Sequence, residues 1–191
     1  HDLAILIRNL GLKNVVLAGW SFGAFDAWYY IQQNGLSNVK AFVVIDNKPK
    51  TIADDHLGAL PGQYLDNMDS QDSYRKFIRS FAENKLVTHP LKNEDELYLL
   101  AGESLRMPYT SARDLYVSGW FGDQEKTMEL ISQKVPSLMF LSESRVEPTQ
   151  TWLKKYAPGT EIHVLGKHMM FWEFPDRFNQ ILSDFLKEHG I

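Results

Sequence analysis

A chain of 191 residues that is 44% hydrophobic and 23% charged has the size and composition of one soluble globular domain, which excludes a disordered or fibrous segment. The formal net charge of -4, with acidic and basic residues mixed along the chain, excludes the basic surface that nucleic-acid binding requires. No apolar run is long enough to span a bilayer. The lack of cysteine excludes disulfides and thiolate chemistry and makes a cytoplasmic location the expectation.

Leu3, Leu6, Ile7 and Leu10 recur at helical spacing, which predicts a helix over residues 2–10, ended by Gly11. A short apolar strand follows at 13–19. A helix over 22–33 is apolar nearly all round and is therefore expected to be buried against a sheet. The next strand, 39–46, is again apolar without alternation. Such strands separated by helices predict a parallel sheet covered on both faces.

Residues 49–133 contain no convincing strand. Segments 73–83, 94–105 and 110–121 read as helices, and Asn93 with Glu96 has the spacing of a capping box. The strand-helix rhythm then resumes. Strands are predicted at 137–142 and 161–165, a helix at 149–156, and a closing amphipathic helix at 175–189.

Gly19-Trp20-Ser21-Phe22-Gly23 joins the first strand to the second helix, which is the context a G-x-S-x-G nucleophile turn needs. The chain reverses there within a few residues. Small residues at 19 and 23 are expected because side chains would collide across the turn. Ser21 is then presented at the top of the sheet, and the Phe22 N–H faces the oxyanion that forms. One such donor is worth about 3–4 kcal/mol of barrier. A serine nucleophile needs a base within reach. His168, in the loop Gly166-Lys167-His168-Met169-Met170 after the last strand, is placed to supply it. Asp54-Asp55-His56 is not expected to bind a metal, because adjacent residues rarely converge on one ion. No metal site and no cofactor is expected.

With these residues in place the chain resembles the α/β-hydrolase family. The spacing of His168, Glu173, Pro175 and Phe178 looks like that family's C-terminal signature. Leu10-Gly11-Leu12 through Gly23 looks like its approach to the nucleophile, and Val135-Pro136-Ser137-Leu138 like the start of its penultimate strand. The resemblance implies an α/β-hydrolase core at 1–48 and 134–191 and a helical cap at 49–133. It implies that Ser21 attacks a carbonyl, that His168 takes and returns the proton, and that a carboxylate orients His168. The family's usual place for that acid is near Arg145, where none stands. Asp46, at the end of the second strand, is the first candidate and Glu143 the second. Trp20, Met169 and Trp120 are expected to line an apolar pocket for the substrate.

The resemblance also implies preceding strands and a loop with a second oxyanion donor. The strand at 13–19 is therefore expected to be a bare sheet edge, covered by a further N-terminal segment or by a second copy in a homodimer. The expected activity is hydrolysis of a small carboxylic ester or related acyl substrate through an acyl-enzyme, in the manner of carboxylic ester hydrolases. C–C bond hydrolysis, cofactor-free perhydrolysis and acyl transfer share the same triad, and ligand binding on a hydrolase scaffold is the alternative outside catalysis.

Overall fold

The computed structural model describes residues 2–49, 65–66, 68–120 and 124–191. Four strands form one parallel sheet in chain order: β1 (Val15–Trp20), β2 (Val39–Ile45), β3 (Ser137–Leu141) and β4 (Thr160–Val164). Among the described residues β1 pairs only with β2 and is an edge.

Side chains alternate across this sheet with the period of two that a strand imposes. Phe42, Val44, Met139 and Leu141 face one side. Ala41, Val43, Leu138 and Phe140 face the other. All eight are fully buried, which explains why neither strand alternates in polarity. The first face is covered by α1 (Asp2–Asn9), α2 (Gly23–Asn34), α6 (Glu125–Lys134) and α7 (Val146–Tyr156), with Trp28 of α2 completely enclosed. The second is covered by α8 (Met170–Glu173) and α9 (Pro175–Glu188) through Met170, Phe178, Ile181 and Phe185. Each large side chain enclosed this way contributes about 1.5–3 kcal/mol of transfer free energy.

A second apolar cluster forms between β2 and α6. It joins α3 (Gln71–Phe81), a π-helical turn (Ala82–Leu86), α4 (Glu94–Arg106) and α5 (Tyr109–Trp120) around Tyr74, Ile78, Leu97 and Leu105. Met169 and Trp20 also join it, so this helical layer sits over the ends of β1 and β4.

Two local expectations need revision. The helix α6 was not expected; its apolar positions are sparse, yet Met128 and Ile131 enter the sheet-side core. At α4 only half of the capping box forms. Asn93 accepts from the Glu96 N–H, but the Glu96 carboxylate turns to the Lys92 N–H and to His89. The reciprocal box stands instead at α3, between Ser70 and Ser73. Among the described residues no helix is long and apolar enough to cross a membrane.

Candidate active site

A parallel sheet gathers the C-terminal ends of its strands at one edge, and the loops leaving that edge build the site. Here all four strand ends contribute. Trp20 ends β1 and Ser21 follows it, Asp46 and Asn47 follow β2, Ser142 and Arg145 follow β3, and Gly166 and His168 follow β4. Register brings them level: Trp20 lies beside Ile45, and Ile45 beside Phe140. The ladder extends one step past the strands, with Ser21 N–H donating to Ile45 C=O at 2.9 Å and Asp46 N–H to Phe140 C=O at 2.8 Å.

Ser21 has φ +52° and Asp46 has φ +51°. Non-glycine residues in the left-handed region carry a cost of about 1–3 kcal/mol each and persist only where surrounding structure holds them. Ser21 is held by its flanks. Its carbonyl accepts from Ala24 N–H at 3.1 Å and from Asn47 Nδ2 at 2.6 Å. Gly19 is required: a Cβ there would lie 2.5 Å from the Ala24 Cα and 2.6 Å from the Ala24 nitrogen and the Gly23 carbonyl carbon. At Gly23 a Cβ would meet nothing within 4 Å. The steric demand of the turn therefore falls on one of the two glycines, because residue 19 is pressed against the start of α2 while residue 23 begins that helix facing open space.

His168 is 5% exposed and Asp46 2% exposed. The His168 Nδ1 lies 2.5 Å from Asp46 Oδ2. Arg145 Nε lies 3.2 Å from the same oxygen, and Ser142 N–H donates to Oδ1 at 2.8 Å. Burial pushes the Asp46 carboxyl up. The His168 hydrogen bond, the Arg145 charge, the His168 charge and the Ser142 N–H together outweigh burial, and its pKa falls from 3.8 to about 2. Asp46 is thus a buried carboxylate held ionised.

The His168 loop is tied to the elbow and to the helical layer. Trp20 Nε1 donates to His168 C=O at 2.8 Å, and the Trp20 and Phe81 rings flank the imidazole at 5.1 and 5.5 Å. His168 N–H and Met169 N–H donate to Lys85 C=O and Leu86 C=O of the π-helical turn, at 3.1 and 2.8 Å. Beyond them the Glu173 carboxylate accepts from Thr88 N–H at 2.6 Å, from the Thr88 hydroxyl, and from His89 N–H at 3.3 Å, with His89 Nδ1 at 3.2 Å.

Of the residues singled out in the sequence, the structure brings His168 together with Asp46 and, through Trp20, with the turn that carries Ser21. Glu143 is exposed on a 3-10 turn (Glu143–Arg145), where its N–H donates to Gly166 C=O. Phe22 caps α2 and packs edge-on against Tyr116 of α5 at 5.3 Å. Met169 is buried in the helical layer. The Trp120 side chain, Phe121 and Asp54-Asp55-His56 lie outside the described residues. Among the described residues no group of three or more His, Asp or Glu is gathered as a metal would need. Sequence reasoning missed Asn47 and Arg145, whose roles depend on contacts between loops far apart in the chain.

The same fold occurs in solved structures. An esterase from Exiguobacterium antarcticum matches at a TM-score of 0.82 and 20% identity, covering 97% of this chain and 71% of its own. The esterase RhEst1 from Rhodococcus sp. ECU1013 matches at 0.79 and 18%, covering 97% and 70%. The chain has the α/β-hydrolase fold. A bromoperoxidase from Bacillus anthracis also matches, at 0.67 and 19%, covering 97% and 72%. No family model matches the sequence. The chain spans about 70% of the length of these structures.

Proposed function

We propose that the protein is a serine hydrolase that cleaves a carboxylic ester through an acyl-enzyme, with Ser21, His168 and Asp46 as its triad. The observation that carries this reading is the buried Asp46–His168 contact of 2.5 Å at the strand edge that also bears Ser21 in a left-handed conformation. Asp46 fixes the tautomer with the proton on Nδ1, which leaves Nε2 free to take the Ser21 hydroxyl proton. Ser21 Oγ attacks the ester carbonyl, the Phe22 N–H donates to the oxyanion, and His168 returns the proton to the leaving alkoxide. Water then repeats the sequence on the acyl-enzyme. Trp20 and Met169, with Trp120, belong to the acyl pocket in this reading. The helical segment 49–133 serves as a cap, except that its last helix, α6, serves the core.

The similarity to esterases supports this substrate class. The similarity to a bromoperoxidase favours perhydrolysis as the second reading, in which hydrogen peroxide takes the place of water on the same acyl-enzyme. Reaction with a fluorophosphonate probe and turnover of p-nitrophenyl esters of two to eight acyl carbons test the proposal. Labelling at Ser21 that is lost in Ser21→Ala is the expected result. A folded protein that neither labels nor turns over any ester overturns it, and peracid formation from acetate and peroxide without ester turnover selects the second reading.

A further inference from the structure

We propose that Arg145 is a positioning residue, which clamps the Asp46 carboxylate in the orientation and charge state that His168 requires. The inference rests on the triad reading above for its catalytic meaning and on geometry for its placement.

Asp46 Oδ2 receives two donors, His168 Nδ1 at 2.5 Å and Arg145 Nε at 3.2 Å, while Oδ1 receives the Ser142 N–H at 2.8 Å. Two of these three donors come from one turn. The 3-10 turn after β3 is closed by Arg145 N–H donating to Ser142 C=O at 2.9 Å. That closure aims the Ser142 N–H at one carboxylate oxygen and the Arg145 side chain at the other. The carboxylate is thereby gripped at both ends and cannot rotate about its Cβ–Cγ bond without breaking a charge-assisted bond. Before a proton reaches the imidazole, His168 is neutral, and Arg145 is then the only cation paired with Asp46 among the described residues. A carboxylate that is 2% exposed needs such a partner to stay ionised.

Arg145 also shares Oδ2 with the imidazole, so the oxygen that orients His168 has a fixed cation beside it. The other charged groups around the pair are Lys48, which is buried and feels the Arg145 charge, the half-buried Lys167, and the exposed Glu143 and Lys85. None of them pairs with Asp46. The Arg145 side chain is 33% exposed, so its own charge remains solvated and is available without a large desolvation cost.

The test is the NMR resonance of the His168 Nδ1 proton, which reports its bond to Asp46, combined with the rate of fluorophosphonate labelling, in the full chain for wild type, Arg145→Gln and Arg145→Lys. In Arg145→Gln that resonance should move or broaden, and the labelling rate should fall about 3- to 10-fold. Arg145→Lys, which keeps the charge, should return the resonance toward wild type. Arg145→Met reads the same resonance should the glutamine variant fail to fold. A folded Gln or Met variant whose resonance is unchanged from wild type overturns the proposal even if labelling slows. A merely structural role would lower thermal stability without moving the resonance. If the wild type does not label while the resonance still moves, the hydrolase reading fails and the placement of Arg145 stands.

Discussion

Asp46→Asn separates the charge of the buried carboxylate from its shape. The fall of the Asp46 pKa from 3.8 to about 2 corresponds to about 2 kcal/mol of folding stability at pH 7. The sign follows from the direction. A carboxyl that ionises more readily in the folded protein contributes its full stability above pH 3.8, and the contribution is lost as pH falls toward 2. By the same linkage about half of it remains at pH 3. Asparagine cannot ionise, so the wild type should exceed Asp46→Asn by about 2 kcal/mol at pH 7 and by about 1 kcal/mol at pH 3. In a chain of this size the difference at pH 7 appears as about 4–8 °C in Tm. Urea unfolding followed by tryptophan fluorescence at pH 7, 5, 4 and 3 measures it. Turnover should fall on the order of 10³- to 10⁴-fold, because the amide no longer holds the imidazole in one tautomer. A stability difference that is flat from pH 7 to pH 3 would refute the charge argument, and near-normal turnover would refute Asp46 as the triad acid.

Other substitutions probe the frame around this pair. Gly19→Ala places a methyl group 2.5 Å from backbone and should cost more than about 2 kcal/mol in urea unfolding; a loss under 0.5 kcal/mol counts against the elbow packing. Glu173→Gln keeps an acceptor but removes its charge from Thr88 and His89, and should cost about 1–2 kcal/mol and speed hydrogen exchange of the Thr88 amide. Unchanged exchange there would show that the carboxylate does not hold this seam. Lys48, only 8% exposed, is lowered from 10.5 to about 8, by burial first and then by Arg145. Its folded form is penalised below pH 8 and the penalty disappears as pH rises through 10.5, so Lys48→Met should stabilise by on the order of 2–3 kcal/mol at pH 7 and by little above pH 10.5. A pH-independent gain would point to packing instead.

How far the sequence reveals this molecule depends on how local each feature is. The strands are legible because both of their faces are buried, so residues such as 41–44 form unbroken apolar runs. The turn that carries Ser21 is legible because it demands glycine at 19, and the loop that carries His168 because it precedes a strongly amphipathic closing helix. The helix α6 is not legible: Glu125-Lys126-Thr127 and Ser132-Gln133-Lys134 surround the few apolar positions that enter the core. The choice between Asp46 and Glu143 is likewise open in the sequence. Both follow strands, and only the fold decides that one is enclosed against the imidazole while the other faces solvent. Arg145 carries no local signal for its contact with Asp46, because the contact joins the ends of neighbouring strands whose sequence separation spans the whole helical insertion.

The π-helical turn at Ala82–Leu86 sets how this insertion can vary. It meets the histidine loop through two main-chain carbonyls, those of Lys85 and Leu86. Main-chain partners are indifferent to side-chain identity, so Glu83, Asn84 and Lys85, which face solvent, can vary in type, while Ala82 and Leu86 are held by the apolar cluster. The residues of the turn cannot vary in number. Adding or deleting one residue between 82 and 89 would rotate those carbonyls out of line and leave two buried N–H groups without partners. A foreign helical segment transplanted onto this scaffold should therefore be spliced outside this stretch, with the turn kept as the host's own hinge plate.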